Sequence, residues 1–114
     1  MSVKEGFPYD WHDGILMSMN AVFPQRRDEY GNVTLELLLY ELPEDAQRKQ
    51  YRVMFSKVTR LQFTASVCDL ADNAGAGNIE KYVHLPQQDG QIVWIYLMEG
   101  VVEMHCEDMC LADV

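Results

Sequence analysis

The chain is poor in the side chains that usually do chemistry. It has three cysteines and three histidines among 114 residues. Cys68, Cys106 and Cys110 are odd in number and unpatterned, which argues against a disulfide framework and suits a reducing compartment. None of Ser2, Ser18, Ser56 and Ser66 sits in a Gly-x-Ser-x-Gly elbow, and with the histidines scattered no nucleophilic triad is legible. No apolar run reaches the length of a membrane span, and the opening Met1-Ser-Val-Lys-Glu-Gly-Phe has no apolar signal core, so a cytoplasmic, non-membrane protein is expected. Positive charge is scarce in the second half. The formal net charge is −9, and up to Arg60 basic and acidic residues nearly balance; from Leu61 onward Lys81 stands alone against nine acids. Such a field repels nucleic-acid phosphates and attracts basic partners, which disfavours DNA or RNA binding; the plain alternative is a solubility surface.

What is present is a strand alphabet. A hydrophobic content of 48% is enough for one domain, residues 1–114, with a core that needs no metal or disulfide. Ile15, Met17, Met19, Ala21 and Phe23 recur every second residue until Pro24, and Val33, Leu35, Leu37 and Leu39 repeat the pattern after a Tyr30-Gly31-Asn32 turn signal, which predicts a hairpin. Tyr51, Val53 and Phe55 share parity with Leu61, Phe63 and Ala65, but Lys57 and Thr59 interrupt the face and imply a bulge or short turn. Ser66 is suited to cap a short helix ending at Gly75 or Gly77. Ile79, Val83 and Leu85 mark a strand with His84 on its wetter face. Gln91 to Met98 is apolar on both parities, as in a central strand covered on both sides, and Val101 to Glu107 shows one acidic face. The expected fold class is mainly β, either all-β or α+β. It would be an antiparallel sandwich or highly curved sheet of about seven short strands with one short helix.

Several residue groups are candidates for function. In Asp10-Trp11-His12-Asp13, a carboxylate beside His12 fixes the imidazole tautomer and stabilises its cation, which is the requirement for a proton carrier. Adjacent strand residues point to opposite faces, however, so His12 and Asp13 converge only if the chain bends there. Trp11 is either an exposed aromatic anchor or a lid on the core. His105, Cys106 and Cys110 are suitable zinc ligands by type, but no Cys-x-x-Cys pair completes four-coordination, so no metal and no cofactor is expected. Glu99, Glu103, Glu107 and Asp108 have no Lys or Arg beside them in sequence and lack a calcium-loop pattern; they read as a surface offered to something positive. The bend from Ala71 to Glu80, with Asp72, Asn73, Gly75 and Gly77, lacks the lysine and following helix of a phosphate cradle and reads as a structural loop. Val101 to Cys106 is also a candidate to join a neighbour's sheet edge.

Asp10-Trp11-His12-Asp13 leading into an alternating strand, Gly31-Asn32-Val33-Thr34-Leu35, and Asp72-Asn73-Ala74-Gly75-Ala76-Gly77-Asn78-Ile79-Glu80 together resemble small bacterial domains that include immunity proteins of polymorphic-toxin systems. The resemblance implies a non-enzymatic cytoplasmic protein that binds and blocks a cognate toxin, whose active surface is often basic. Trp11, His12, Asp13, Glu99, Glu103, Glu107 and Asp108 are the partner-binding candidates, and the oligomeric state is open. The competing expectation is a small enzyme or ligand-binding β domain using His12 and Asp13.

Overall fold

A computed structural model describes residues 10–40, 46–65 and 78–113. They form eight strands: β1 (Asp10–Val22), β2 (Gly31–Tyr40), β3 (Lys49–Val58), β4 (Arg60–Ala65), β5 (Ile79–Gln87), β6 (Gly90–Leu97), β7 (Gly100–Cys106) and β8 (Asp108–Asp113). Two four-stranded antiparallel sheets result, ordered β1-β2-β3-β8 and β4-β7-β6-β5. This corrects the expectation of about seven short strands and one helix. The fold is all-β, β1 runs for 13 residues, and no helix occurs among the described residues. The segment from Ser66 that was expected to be helical, together with Asp72, Asn73, Gly75 and Gly77, lies outside them. Nor is any helix among the described residues long and apolar enough to cross a membrane.

The two sheets share strands in all but name. β3 runs into β4 and β7 into β8, and the two bent pairs face each other along their length, from Tyr51 opposite Asp113 to Ala65 opposite Gly100. The switch between sheets occurs at Lys57, which takes φ 53°, and at Glu107, whose N–H donates to the Ser56 carbonyl at 3.1 Å. One extra residue on the β3–β4 side bends and twists the ladder, as bulges do at sandwich corners. β7 therefore lies between β4 and β6, so Val101 to Cys106 cannot join a neighbour's edge; the second sheet's own edges are β4 and β5. On the far side the sheets meet again at a single bridge, Ile15 to Asn78.

Inward-facing positions make the core. Leu35, Leu37, Leu39, Tyr51, Val53, Val93, Ile95, Val102 and Met104 are fully inaccessible, with Phe55 and Ile79 nearly so. β2, β3 and β7 keep the alternation expected of them. β1 and β5 do not, because each carries a bulge that resets its parity. In β1 the register slips between Leu16 and Ser18, which turns Leu16 inward and leaves Met17 52% exposed, while Phe23 lies beyond the strand and is 70% exposed. In β5 the slip falls between Ile79 and Lys81, so Tyr82 and His84 face inward opposite Ile95 and Val93, and Leu85 faces out. His84 is thus on the inner face, not the wetter one. Tight two-residue turns close β5–β6 and β6–β7. At Gly100 a Cβ would lie 2.1 Å from the Thr64 carbonyl oxygen, so the close approach of β4 to this turn requires glycine.

Candidate functional site

The outer face of the second sheet is unlike a solvated surface. Because Val93, Ile95, Leu97, Val102 and Met104 point inward, their sequence neighbours form the opposite face in three cross-strand rows. The central row is Gln62, Glu103, Trp94, Val83. Thr64, Val101, Tyr96, Lys81 lie on one side of it, and Arg60, His105, Ile92, Leu85 on the other. Trp94, Tyr96, Ile92, Val83 and Val101 are all half-buried there. β6 is central as expected, but it is fully covered on one side only.

Glu103 organises the middle of this face. Its Oε1 accepts a hydrogen bond from Trp94 Nε1 at 3.0 Å, and its Oε2 lies 3.3 Å from His105 Nε2 and 3.7 Å from Arg60 Nε. Each partner is where β-geometry puts it: Trp94 directly opposite on β6, His105 two residues along the same face, Arg60 diagonal on β4. Lys81 Nζ stands 5.1 Å from the Tyr96 ring centroid at the rim. Aromatic and aliphatic groups inside a charged border are the composition of binding hot spots. Trp94 and Tyr96 were not expected to carry function. Their sequence signal is the apolar outward parity of β6, which Val83 and Leu85 of β5 and Val101 of β7 join only once the register is known.

The anticipated site residues are dispersed. Trp11 is 4% exposed and stacks on Tyr82 with centroids 4.5 Å apart, so it covers the core and offers a partner no surface. His12 and Asp13 do meet, with Nδ1 and Oδ2 3.3 Å apart. The bend that permits this is Asp13 itself, at φ 66° within the irregular start of β1, where its carbonyl accepts a hydrogen bond from Arg48 Nε at 2.8 Å. Both side chains are about two-thirds exposed, at 65% and 60%, and they belong to the other sheet from Glu103. Glu99 occupies the β6–β7 turn and Glu107 the corner, so the acids are strung over roughly 26 Å along one strand direction instead of clustering. Asp108 opens β8 opposite Ser56 in the first sheet.

The acids also have basic company that the sequence conceals. Lys57 Nζ lies 3.5 Å from Glu107, as Arg60 does near Glu103, because the bent β3–β4 strand brings first-half cations across from β7. His105 faces outward while Cys106 is buried, and burial, with Asp108 nearby, pushes the Cys106 thiol up to about 11. Among the described residues no three His, Cys, Asp or Glu side chains gather as a metal site would require. Among the concavities near the corner are a polar one of about 380 Å³ between Lys57, Gln91, His105 and Glu107 and a more apolar one of about 510 Å³ between the β1–β2 loop and β4. Neither includes His12 or Asp13. No protein-family model, no curated protein and no solved structure matches this chain.

Proposed function

We propose that the chain is a non-enzymatic, cytoplasmic protein-binding domain of the immunity type, which docks a basic toxin surface on the outer face of the β4-β7-β6-β5 sheet. The observation that carries this reading is the half-buried Trp94, Tyr96 and Ile92 stripe with the Glu103 carboxylate hydrogen-bonded beside it. Trp94 holds one carboxylate oxygen in place. The other faces His105 Nε2 at 3.3 Å and Arg60 Nε at 3.7 Å, and Arg60 is itself 55% exposed. An ion pair so open to water contributes about 0–1 kcal/mol, so an incoming guanidinium displaces it at little cost. Trp94 and Tyr96 then lose water against the partner, supplying affinity, while Glu99 and Glu107 at the ends of the face speed encounter. A toxin whose basic active surface is covered in this way no longer reaches its substrate.

The test is binding and rescue with the polypeptide encoded immediately beside this chain. Trp94→Ser and Glu103→Lys are expected to weaken calorimetric affinity by about thirtyfold, the scale of a hot-spot loss of about 2 kcal/mol. Glu99→Lys is expected to slow association chiefly at low salt. Wild-type affinity in all three variants, with the fold intact by circular dichroism, would remove this face from the interaction.

A further inference from the structure

A second feature, separate from the Trp94 face, is the mouth of the sandwich. After Val58, β3 leaves β2 and crosses to the other sheet as β4, so the sheets part and the interior opens between the β1–β2 loop and β4, an edge strand among the described residues. Phe63 reports this opening. It shares an inward row with Val102 and Ile95, both fully inaccessible, yet it is 38% exposed. On the facing wall Val22, Phe23 and Tyr30 are 54%, 70% and 51% exposed. Half of the large apolar side chains exposed among the described residues therefore gather at this one mouth, which isolated surface hydrophobics do not do.

Size and charge specify the occupant. The groove holds about 510 Å³, within the range of roughly 300–1,000 Å³ typical of small-molecule sites, which favour barrel and sandwich mouths. Its rim carries Arg27, Arg60 and Glu29. Glu29 is engaged by its own loop, accepting from the backbone N–H of Gln25 at 3.0 Å and of Arg26 at 3.2 Å. Arg60 leans toward Glu103, whereas Arg27 has no hydrogen-bond or ion-pair partner among the described residues. In a chain of net charge −9, an apolar groove bordered by an uncommitted guanidinium is an anomaly with a chemical meaning. We infer that the mouth binds a small amphipathic carboxylate, its carboxyl group accepting two N–H bonds from Arg27 and its hydrocarbon body lying over Leu61 and Phe63.

The probes are octanoate, octanol and octylamine, of equal chain length and different charge, titrated into the uniformly ¹⁵N-labelled full chain. Octanoate is expected to shift the amides of Phe23, Arg27, Val58 and Phe63 and to bind about tenfold more tightly than octanol, the worth of a charge-assisted hydrogen bond. Arg27→Gln, an exposed loop change, is expected to lower octanoate affinity to that of octanol and leave octanol unaltered. Phe63→Ser weakens both, and Trp94→Ser weakens neither, which separates this site from the proposed docking face. Equal affinity for all three probes, shifts located elsewhere, or no binding up to the solubility limit of the alcohol would overturn the assignment. So would a concentration-dependent dimer dissolved by Phe23→Ser, which would give the mouth to a second copy of the chain.

Discussion

Cys106 shows how one buried position couples burial to pH. Loss of hydration is the larger cause of its raised thiol value and the Asp108 charge the smaller, and both disfavour the thiolate. A group whose folded value is raised contributes stability that is complete below the unfolded value, near 9, and is lost as pH climbs through about 11. In urea melts across that interval, Cys106→Ala should therefore lose stability less steeply than the parent chain. Parallel slopes would mean that the thiol ionises freely in the fold. The same burial predicts that in a Cys68→Ala background iodoacetamide reaches the half-buried Cys110 well before Cys106. Glu36 runs the opposite way: hydrogen bonds from Arg52 at 2.6 Å and Gln50 at 3.1 Å hold its carboxyl below the usual 4.5. Its contribution is present above that value and fades as acid takes the carboxylate away, so Glu36→Gln should flatten the acid limb of stability below pH 4.5. Alternation marked Cys106 as a core position, but the facing of Glu36 by Arg52 is a fact of register.

Strand bends decide how far pattern reading carries. β2, β3 and β7 were legible because Leu35, Leu37, Leu39, Tyr51, Val53, Val102 and Met104 alternate without interruption, and every one of them is fully inaccessible. Where a bulge inserts a residue the period of two breaks, and nothing in composition marks the insertion. Leu16 replaced Met17 in the core for that reason, and Tyr82 with His84 replaced Val83 with Leu85. The pattern does not mark β8, because the bend at Glu107 begins a new strand inside what reads as one acidic run. Lys57 was the one bulge announced by the sequence, as a polar break in an apolar face. Its left-handed φ of 53° costs a side-chain-bearing residue of order 1 kcal/mol. Lys57→Gly relieves that strain and gives up only an exposed pair with Glu107, so the urea midpoint should hold or rise. Lys57→Val places a β-branched residue in the same backbone state and should cost about 1–3 kcal/mol. If the two variants behave alike, the corner is not conformationally strained.

Across the whole molecule, charge is arranged differently from its linear order. The sequence shows a balanced first half and an acidic second half, yet folding lays β3–β4 against β7–β8 so that Lys57 meets Glu107 and Arg60 meets Glu103. Two opposing salt effects follow. Screening removes the attraction in such pairs, but each is worth about 0–1 kcal/mol where the side chains are this exposed. Screening also relieves the mutual repulsion of a net −9 carried on a body whose radius of gyration is 13.8 Å. At 0.1 M salt the Debye length is about 10 Å, short enough to separate charges on opposite sides of such a body while leaving contacts under 4 Å largely intact. Repulsion should therefore dominate, and thermal stability should rise as sodium chloride is raised from low to physiological levels. Glu99 supplies the control, because it has no ion-pair partner among the described residues. Glu99→Lys lowers the net charge without breaking a contact and should stabilise the chain at low salt, with the gain shrinking as salt is added; Arg60→Glu should do the reverse and strand Glu103 beside a like charge. A melting temperature that falls with salt in the parent chain would mean that the cross-corner pairs outweigh the repulsion, and the acidic field would then be too well neutralised to steer a basic partner.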